Sequence, residues 1–388
     1  MHARSLLWVA AIAVLAYFPK CAAEENDAKK ELAVHEWGTF TSVLGSDGVA
    51  MRFHPGPDGV EKRFRPDSDS PGFVHRAALK HYTLSCTVSL ETTVIYFYTA
   101  QSHNVSVEVS FKHGEITRWF PRASVDPLLA NGVFPEGEKI EWKSISLSPN
   151  AEQQFPVEAA ARGPHYYVAR ETDAAPLQVP ADGVHEQEKF LFYRWCAGGT
   201  FSQKAILKAT GGDKFSVQNT SGHPIPAAFL VTVRNGEVNF LKVGRIDAVK
   251  TVTIETAASR TTVEQLGGIL ADALAQEGLF KKEAQAMVKT WQSAWLGETG
   301  TRLLYILPAE VVNDWLPMTI KPKPDALVRV MVGRLDIFTP EQEKEIEHLV
   351  KVSETASATA EEKGAAQRKI SAYGRFSASA ANRARRRP

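Results

Sequence analysis

Residues 229–243 read FLVTVRNGEVNFLKV, two runs of apolar and β-branched residues separated by Asn235-Gly236. An Asn-Gly pair readily adopts the positive φ angles of the two-residue turns that join right-twisted antiparallel strands. The stretch therefore predicts a tight β-hairpin, and it points to a chain built from antiparallel strands.

Strand signals extend on both sides of this hairpin, from Val34 to about Thr256. Short runs rich in β-branched and aromatic residues alternate there with turns that contain Gly, Pro or Asn. The other predicted strands include Thr92–Thr99, Val105–Phe111, Glu115–Phe120, Ile140–Leu147, His165–Thr172, Lys189–Trp195, Ala205–Thr210, Lys214–Gln218 and Val252–Glu255. Strands at this density, without helices between them, favour antiparallel sandwich packing over parallel βαβ units. We therefore predict a mainly β domain over residues 32–257.

The pattern changes at Thr261, after which apolar residues recur at helical spacing. A helix predicted from about Lys281 to Leu296 carries one apolar stripe, formed by Ala284, Met287, Val288, Trp291 and Trp295. Such a stripe is typical of a helix face that packs on a core. We predict a smaller, helix-rich α+β domain over residues 258–352.

Residues 353–388 are rich in Ala, Ser and Arg, and they predict a weak helix up to about Ile370 followed by a disordered tail. The tail contains Arg383, Arg385, Arg386 and Arg387. In an exported protein such a tail either contacts anionic polymers or has no role.

Residues 1–23 have the pattern of a cleaved signal peptide. Arg4 gives a positive start, and Leu6–Phe18 is an unbroken apolar run that is short of the roughly 20 residues of a spanning helix. The small residues Cys21-Ala22-Ala23 then predict cleavage before Glu24. Lipidation at Cys21 and an uncleaved anchor are the alternatives. We expect an exported protein, periplasmic or extracellular.

The mature chain is expected to begin with a flexible leader, residues 24–31, and to contain no transmembrane segment, since no second long apolar run occurs. Cleavage removes Arg4 and Lys20 and so lowers the formal charge of +1 by two units. A chain near neutrality has no overall positive field that would attract nucleic acid, so nucleic acid is not expected as a partner.

Two cysteines remain after cleavage, Cys86 and Cys196. An oxidising compartment permits a disulfide between them, whereas two free buried thiols are the alternative. Sequence does not place the two residues close together in space, so both readings stay open.

Several segments together resemble a family of exported bacterial proteins whose activity is uncharacterised. They are HEWGTFT (35–41), TVIYFY (93–98), HYYVARETD (165–173), KFLFYR (189–194), AMVKTWQSAW (286–295), Thr301–Tyr305 and VRVMVGRL (328–335). The resemblance covers most of the mature chain and implies a bacterial, exported protein. It implies no activity, ligand or site residue.

His35-Glu36 suggests a metal site, but a metalloprotease motif would need a second His at position 39, which is Thr. If the segment is a strand, His35 and Glu36 point to opposite faces and do not share one ion without a bulge. Asp67–Gly72 begins like a calcium loop but has Pro71 at position five and lacks the closing Glu.

One group of titratable residues is worth testing together, because sheet pairing could bring their strands side by side. We hypothesise a polar cluster around His35 that includes at least one of His75, His165, Arg170 or Asp173. The candidate site residues are His35, Glu36, His75, His165, Arg170 and Asp173. A divalent metal is a conceivable cofactor of such a cluster, and no other cofactor is indicated.

The sequence lacks a Gly-x-Ser-x-Gly elbow and the glycine-rich loops that cradle phosphates. This pattern favours a binding or interaction module of the cell envelope or extracellular space, with an envelope polymer or a protein as partner. The alternative, based on the histidines, is a metal-assisted hydrolase of an envelope or extracellular polymer. A purely structural role is the third reading, so an enzyme and a binding module both stay open.

Overall fold

The computed structural model describes residues 32–54, 74–75, 85–126, 137–156, 166–181, 183–198, 203–255 and 259–386. The predicted signal peptide and leader, the calcium-like loop and His165 lie outside these residues. None of the helices in the described ranges is long and apolar enough to cross a membrane.

The strands of the described residues, in chain order, are β1 (Ala33–Leu44), β2 (Val74–His75), β3 (Val88–Tyr98), β4 (His103–Phe111), β5 (Glu115–Phe120), β6 (Ser124–Asp126), β7 (Glu138–Leu147), β8 (Leu177–Ala181), β9 (Val184–Glu188), β10 (Phe190–Ala197), β11 (Ala205–Gly211), β12 (Lys214–Asn219), β13 (Ala228–Arg234), β14 (Glu237–Lys242), β15 (Thr251–Glu255), β16 (Ser259–Thr261), β17 (Gly300–Ile306), β18 (Met318–Lys321) and β19 (Ala326–Ile337). The α-helices are α1 (Val263–Gln276), α2 (Lys281–Gln292), α3 (Ala309–Trp315), α4 (Pro340–Glu354), α5 (Ala360–Ser371) and α6 (Ser377–Arg386). A 3-10 helix spans Tyr167–Arg170, and α2 continues into a π-helix at Ser293–Gly297.

A ten-stranded sheet organises the molecule, with the strand order β16-β14-β13-β17-β19-β1-β3-β10-β5-β2. Strands β1 and β19 run parallel, and the other neighbours in this sheet are antiparallel. A six-stranded sheet and the three-stranded sheet β11-β12-β15 accompany it. The predicted mainly β, antiparallel architecture is confirmed.

The hairpin from which the prediction began is β13–β14, with Arg234 paired to Glu237 across the turn. Asn235 and Gly236 both have positive φ, 52° and 78°. These are the angles that an inverse-type turn requires and that Asn and Gly adopt at low cost. The tight hairpin is confirmed.

The two faces of the ten-stranded sheet are covered differently. One face packs on the two smaller sheets, since residues such as Leu90 and Tyr193 share an apolar cluster with Val107 and Val217. The other face is covered by α1 and α2 over one part, and α4 to α6 form a separate cluster near Val43. The β-sandwich is therefore flanked by helices on its outer face.

The chain does not divide near residue 257 as predicted. Strands β17 and β19, from the expected second domain, lie between β13 and β1 of the expected first domain. β19 pairs with β1 along its whole length, from Ala33↔Ala326 to Leu44↔Ile337. Both segments therefore belong to one sheet. The backbone N–H and C=O groups along the shared edge of β1 and β19 find hydrogen-bond partners only when these two strands pair.

The predicted apolar face of α2 is confirmed. Met287 and Trp295 have no exposed surface, and Trp291 is 6% exposed. The rings of Trp291 and Trp295 stack with centroids 6.1 Å apart.

The C-terminal segment differs from the expected weak helix and disordered tail. Its described residues form α5 and α6, and Ala380 and Ala381 are buried in the cluster beneath α4. Arg383 pairs with Asp47 and Arg385 with Glu354. The alanines form a packing face and the arginines form ion pairs. The segment whose composition suggested disorder is therefore a helix packed against the rest of the protein.

Candidate functional site

The HEWGTFT segment forms β1, the strand next to the centre of the ten-stranded sheet. His35 and Glu36 point to opposite faces, as strand alternation predicts. His35 Nδ1 lies 2.8 Å from Glu283 Oε2 on α2, and its ring packs 4.5 Å from Phe280 and 5.1 Å from Tyr98. His35 and Glu283 form a buried polar pair between the sheet and α2.

Glu36 belongs to a separate buried network on the sandwich face. The Tyr193 hydroxyl donates to Glu36 at 2.6 Å, and Arg329 Nε donates at 2.7 Å. Burial and the neighbouring Glu36 carboxylate raise the pKa of Tyr193 well above its usual range. Arg329 also donates to the Leu316 carbonyl. Arg329 is therefore the ion-pair partner of Glu36, and the network links β1 to β10 and β19.

Arg170 lies in the 3-10 helix, where a strand was predicted. Val168 and Ala169 are adjacent in sequence and both buried, which a helical turn allows and a half-buried strand does not. Arg170 donates to both carboxylate oxygens of Glu188, at 2.8 and 2.6 Å, and to the Pro156 carbonyl. The partner that a partly buried arginine needs is therefore present.

The structure brings the candidate residues together only in part. Asp173 pairs with Lys282 at 2.7 Å, so Asp173 and His35 each contact the first turn of α2. His75 lies on β2, and the three strands β3, β10 and β5 separate it from β1, a distance of roughly 19 Å at normal strand spacing. Within the described ranges, no group of three or more His, Cys, Asp or Glu side chains could hold a metal ion.

Cys86 and Cys196 are both buried and free, and their thiols lie in hydrogen-bonding contact. That contact, together with burial, raises the pKa of Cys196 well above its usual range. The two thiols are neighbours in an apolar cluster shared with α4 to α6. The disulfide between them stays a prediction.

A second polar region crosses the helix-covered face of the sheet, and we call it the polar belt. It contains eight charged residues, Arg118, Arg194, Glu91, Arg334, Asp336 and Arg302 on the strands, and Glu298 and Arg375 from outside the sheet. Cross-strand partners link its members, with Arg194 opposite Arg118, and Asp336 opposite Arg302. On β1, Trp37 belongs to the apolar cluster formed with α1 and α2, and Val43 belongs to the cluster formed with α4 to α6. The belt lies between these two clusters.

A bulge in β3 shapes the centre of the belt. Thr92 is an extra residue relative to both neighbouring strands, and its φ is 44°. A β-branched residue seldom adopts this left-handed conformation, which costs about 1–2 kcal/mol. Gly38 lies opposite, and a Cβ there would be 2.7 Å from Thr93 Oγ1. Strained bulges of this kind often redirect side chains at functional sites.

The bulge positions Glu91 and Arg194 beside each other. Glu91 accepts a hydrogen bond from Arg375 Nη2 at 2.5 Å and from Thr41 Oγ1 at 3.3 Å. Burial raises the pKa of Glu91, but Arg375, Arg194 and Arg334 outweigh it and hold this pKa below its usual range. Arg194 Nη2 donates to Thr92 Oγ1 at 3.1 Å.

The belt combines five arginines with three carboxylates. Burial, and the cross-strand neighbour Arg118, lower the pKa of Arg194 to about 10. Asp336 lies between Arg302 and Arg334 and accepts from both, which holds its pKa below the usual range although burial opposes this.

A cleft opens at one end of the belt, where the start of α4, the loop between α5 and α6, and the loop before β17 meet. Its walls include Glu298, Asp336, Tyr373, Arg375 and Phe376. The free cavity volume is about 20 Å³, enough for one or two water-sized groups. The cleft connects buried charge to the surface.

Sequence reasoning missed this belt. One signal was available, because Arg334 and Asp336 have the i, i+2 spacing of one strand face within the apolar run Leu327–Phe338. Charges on a buried strand need partners. Arg302 also sits in an apolar strand run, next to Thr301.

No protein-family model and no curated protein matches the sequence. Similar solved structures include the zebrafish (Danio rerio) Fcho1 mu-homology domain with a bound Eps15 peptide, at 7% identity and a TM-score of 0.32, covering 80% of this chain and 99% of that one. The yeast delta-COP-I mu-homology domain matches at 7% identity and a TM-score of 0.31, with 79% of this chain and 98% of that one covered. Likeness at these TM-scores supports no inference about function.

Proposed function

We propose that the protein is an exported binding module of the cell envelope or extracellular space, and that the polar belt is its binding site. The observation that carries this proposal is the strained bulge at Thr92, which sets Arg194 beside Glu91 at the centre of the belt. Backbone strain of this kind persists only where the surrounding structure holds it in place, and it is concentrated at functional sites.

The position of the belt supports binding. It lies between two groups of helices on one face of the sheet, and a cleft reaches it from the surface. A ligand group entering there meets fixed side chains, since Glu91, Asp336 and Glu298 already orient the arginines. Preorganised donors of this kind bind without a large ordering cost.

Export completes the proposal. The predicted signal peptide at residues 1–23 would deliver the mature chain to the envelope or beyond, where an envelope polymer or an envelope protein is the expected partner. N-terminal sequencing of the secreted protein should give Glu24 as the first residue.

The test is cosedimentation of the mature chain with separated envelope polymers and envelope proteins. Arg194→Gln should weaken binding about 10-fold or more, because a charge-assisted hydrogen bond contributes on the order of 1.5–3 kcal/mol. Arg385→Gln, which removes a surface ion pair with Glu354, is the matched control and should bind like the wild type. Equal binding by both variants would remove the belt as the site.

A further inference from the structure

The outer edge of β15 has no partner strand in the part of the chain that the structure describes. β15 pairs with β12 from Thr251↔Gln218 to Glu255↔Lys214, and no described strand pairs with its other edge. The backbone N–H and C=O groups that point to this outer edge therefore lack a described ladder partner. A free row of such groups is a template for the addition of another strand.

The other sheet edges of the described residues are protected. β2, β6 and β16 have two or three residues each, β18 is followed by Pro322, and three of the five residues of β9 are ionisable. A turn covers β11, since Ala209 N–H donates to the Ser46 carbonyl and a Cβ on Gly48 would lie 3.2 Å from the Leu207 carbonyl oxygen. Short length, proline, charge and a covering loop all prevent edge pairing. β15 reads Thr-Val-Thr-Ile-Glu and has a charge only at its end.

The β15 strand is complementary to a second copy of itself. Its side chains alternate between the solvent side and the core side, where Val252 and Ile254 pack. A two-fold axis perpendicular to the sheet at Thr253 would pair two such strands antiparallel and keep each face of the sheet on its own side. Val252 would then lie opposite Ile254 of the second copy, a favourable β-branched pair. The Lys250 end of each strand would lie beside the Glu255 end of the other.

An exposed and strained residue lies beside this edge. Val249 is 70% exposed, and its φ of 58° is one that a β-branched residue seldom adopts. Its turn is held by two backbone hydrogen bonds, from Lys250 N–H to the Asp247 carbonyl at 3.3 Å and from Asn219 N–H to the Lys250 carbonyl at 2.9 Å. Strain of this kind is concentrated at functional sites. A strand added to β15 would lie next to this apolar side chain.

We propose that two copies of this chain associate through β15, which joins their β11-β12-β15 sheets into one continuous sheet. The contact includes no residue of the polar belt, so the inference goes beyond the proposed function and does not rest on it. Pairing of one short strand makes a small interface, and small interfaces are typical of weak, reversible association.

The first experiment measures sedimentation equilibrium of the mature chain from about 1 µM to about 1 mM, the range of weak association. The wild type should show a monomer–dimer equilibrium. Thr253→Lys and Thr253→Glu should each weaken the dimer about 5-fold, because like charges directly opposite each other destabilise an antiparallel pair. An equimolar mixture of the two variants should recover the wild-type affinity, since only a residue that faces itself across a two-fold axis gives this result.

The matched control is Thr319→Lys, at an exposed position of the edge strand β18. It adds the same charge to a different edge and should associate like the wild type. Thr253 is exposed, so its variants should keep the far-UV circular dichroism spectrum of the wild type.

Cysteine cross-linking tests the same axis. Directly opposed Cβ atoms of an antiparallel pair lie about 4.5–5.5 Å apart, close to the roughly 3.5–4.5 Å of a disulfide. Thr253→Cys should therefore form a covalent dimer with oxidised glutathione as the oxidant, whereas Thr319→Cys should form little. Cys86 and Cys196 are buried, so the wild-type chain gives the background on a non-reducing gel.

A wild-type chain that stays monomeric up to about 1 mM would overturn the inference. Cross-linking of Thr253→Cys at the rate of Thr319→Cys would overturn it too, and so would a mixture of the two charged variants that associates no better than either alone. Addition of an extended peptide to β15 of a monomeric chain would assign the edge to another partner and also end the proposal.

Discussion

At the scale of single residues, buried polar groups on the central strand find their partners in distant parts of the chain. His35 contacts Glu283, 248 residues away, and Glu36 contacts Arg329, 293 residues away. A buried polar group whose partner is removed loses the hydrogen bond and keeps its desolvation cost. Each pair therefore ties β1 to a later segment.

We expect His35→Ala to lower the free energy of unfolding by about 1–3 kcal/mol, because it leaves Glu283 buried without its partner. Chemical denaturation of the mature protein measures this change. His185→Ala, at an exposed position on β9, should change stability by less than about 0.5 kcal/mol. Metal analysis of both proteins tests the hydrolase alternative, since a metal centre at His35 would show as metal lost in His35→Ala.

Thr92 offers a test of strain at the bulge. Asn adopts the left-handed region readily and keeps a side-chain acceptor for Arg194, whereas Val keeps the β-branch and loses the acceptor. Thr92→Asn should therefore be more stable than Thr92→Val by about 2 kcal/mol, the sum of about 1 kcal/mol of strain and about 1 kcal/mol of hydrogen bonding. Equal denaturation midpoints for the two variants would show that neither backbone strain nor the Arg194 hydrogen bond matters at the bulge, and a difference of only about 1 kcal/mol would leave the hydrogen bond alone.

The opposite orientation of His35 and Glu36 was predictable, because it needs only the alternation of a strand. Their partners were not, since Glu283 and Arg329 reach β1 only through the packing of α2 and the pairing of β19. The hypothesised cluster is a related case. Asp173 and His35 both contact the start of α2, a relation that spacing along the chain does not reveal.

At the scale of elements, local patterns predicted what depends on local physics. The Asn235-Gly236 turn and the apolar stripe of α2 follow from φ preferences and helical periodicity. The 3-10 helix around Arg170 was not predictable from its local pattern, because its short run of aromatic residues fits a strand as well as a turn. Contact of the Ala169 carbonyl with the Tyr96 hydroxyl, at 2.6 Å, holds that segment as a 3-10 turn.

Trp295→Ala should lower the free energy of unfolding by about 3–5 kcal/mol, since Trp295 is fully buried and its removal leaves a large cavity. Gln285→Ala, on the exposed face of α2, is the control and should be nearly neutral. Equilibrium denaturation followed by far-UV circular dichroism separates the two. An unchanged midpoint for Trp295→Ala would mean that the α2 face does not form part of the core.

At the scale of the whole molecule, one sheet joins the N-terminal and C-terminal parts of the chain. The two parts share a sheet because β17 and β19 lie between β13 and β1. Local residue patterns do not indicate which distant strands become neighbours. The docked C-terminal helices are a second long-range feature, since Arg375 reaches Glu91 across 284 residues.

Truncation after Gly374 tests whether α6 is part of the fold. It removes Arg375 and Phe376, leaves Glu91 buried without its arginine, and should cost at least about 3–5 kcal/mol. Arg385→Gln, which alters only a surface pair, should change stability by less than about 0.5 kcal/mol. A disordered tail would instead give a truncated protein with the wild-type melting temperature.

Acid should weaken the whole molecule through the carboxylates of the polar belt. Burial raises the pKa values of Asp336 and Glu91, but the surrounding arginines hold both pKa values below the reference values of 3.8 and 4.5. A carboxyl group whose folded pKa is depressed stabilises the folded state above its unfolded pKa, and this contribution is lost as the pH falls through the folded pKa. We therefore expect the free energy of unfolding to decline as the pH is lowered below about 4.5.

Asp336→Asn isolates this contribution. At pH 7 the variant should be less stable than the wild type by about 3–5 kcal/mol, because Arg302 and Arg334 lose a buried counter-charge. The difference should begin to shrink as the pH falls below about 4, because Asp336 binds a proton first in the unfolded wild type, and it should be lost once the pH passes the depressed pKa of the folded state. Asp213→Asn, at an exposed turn position, should show little difference from the wild type at any pH. A stability gap between Asp336→Asn and the wild type that stays constant from pH 7 into strong acid would show that the Asp336 charge does not hold the belt together.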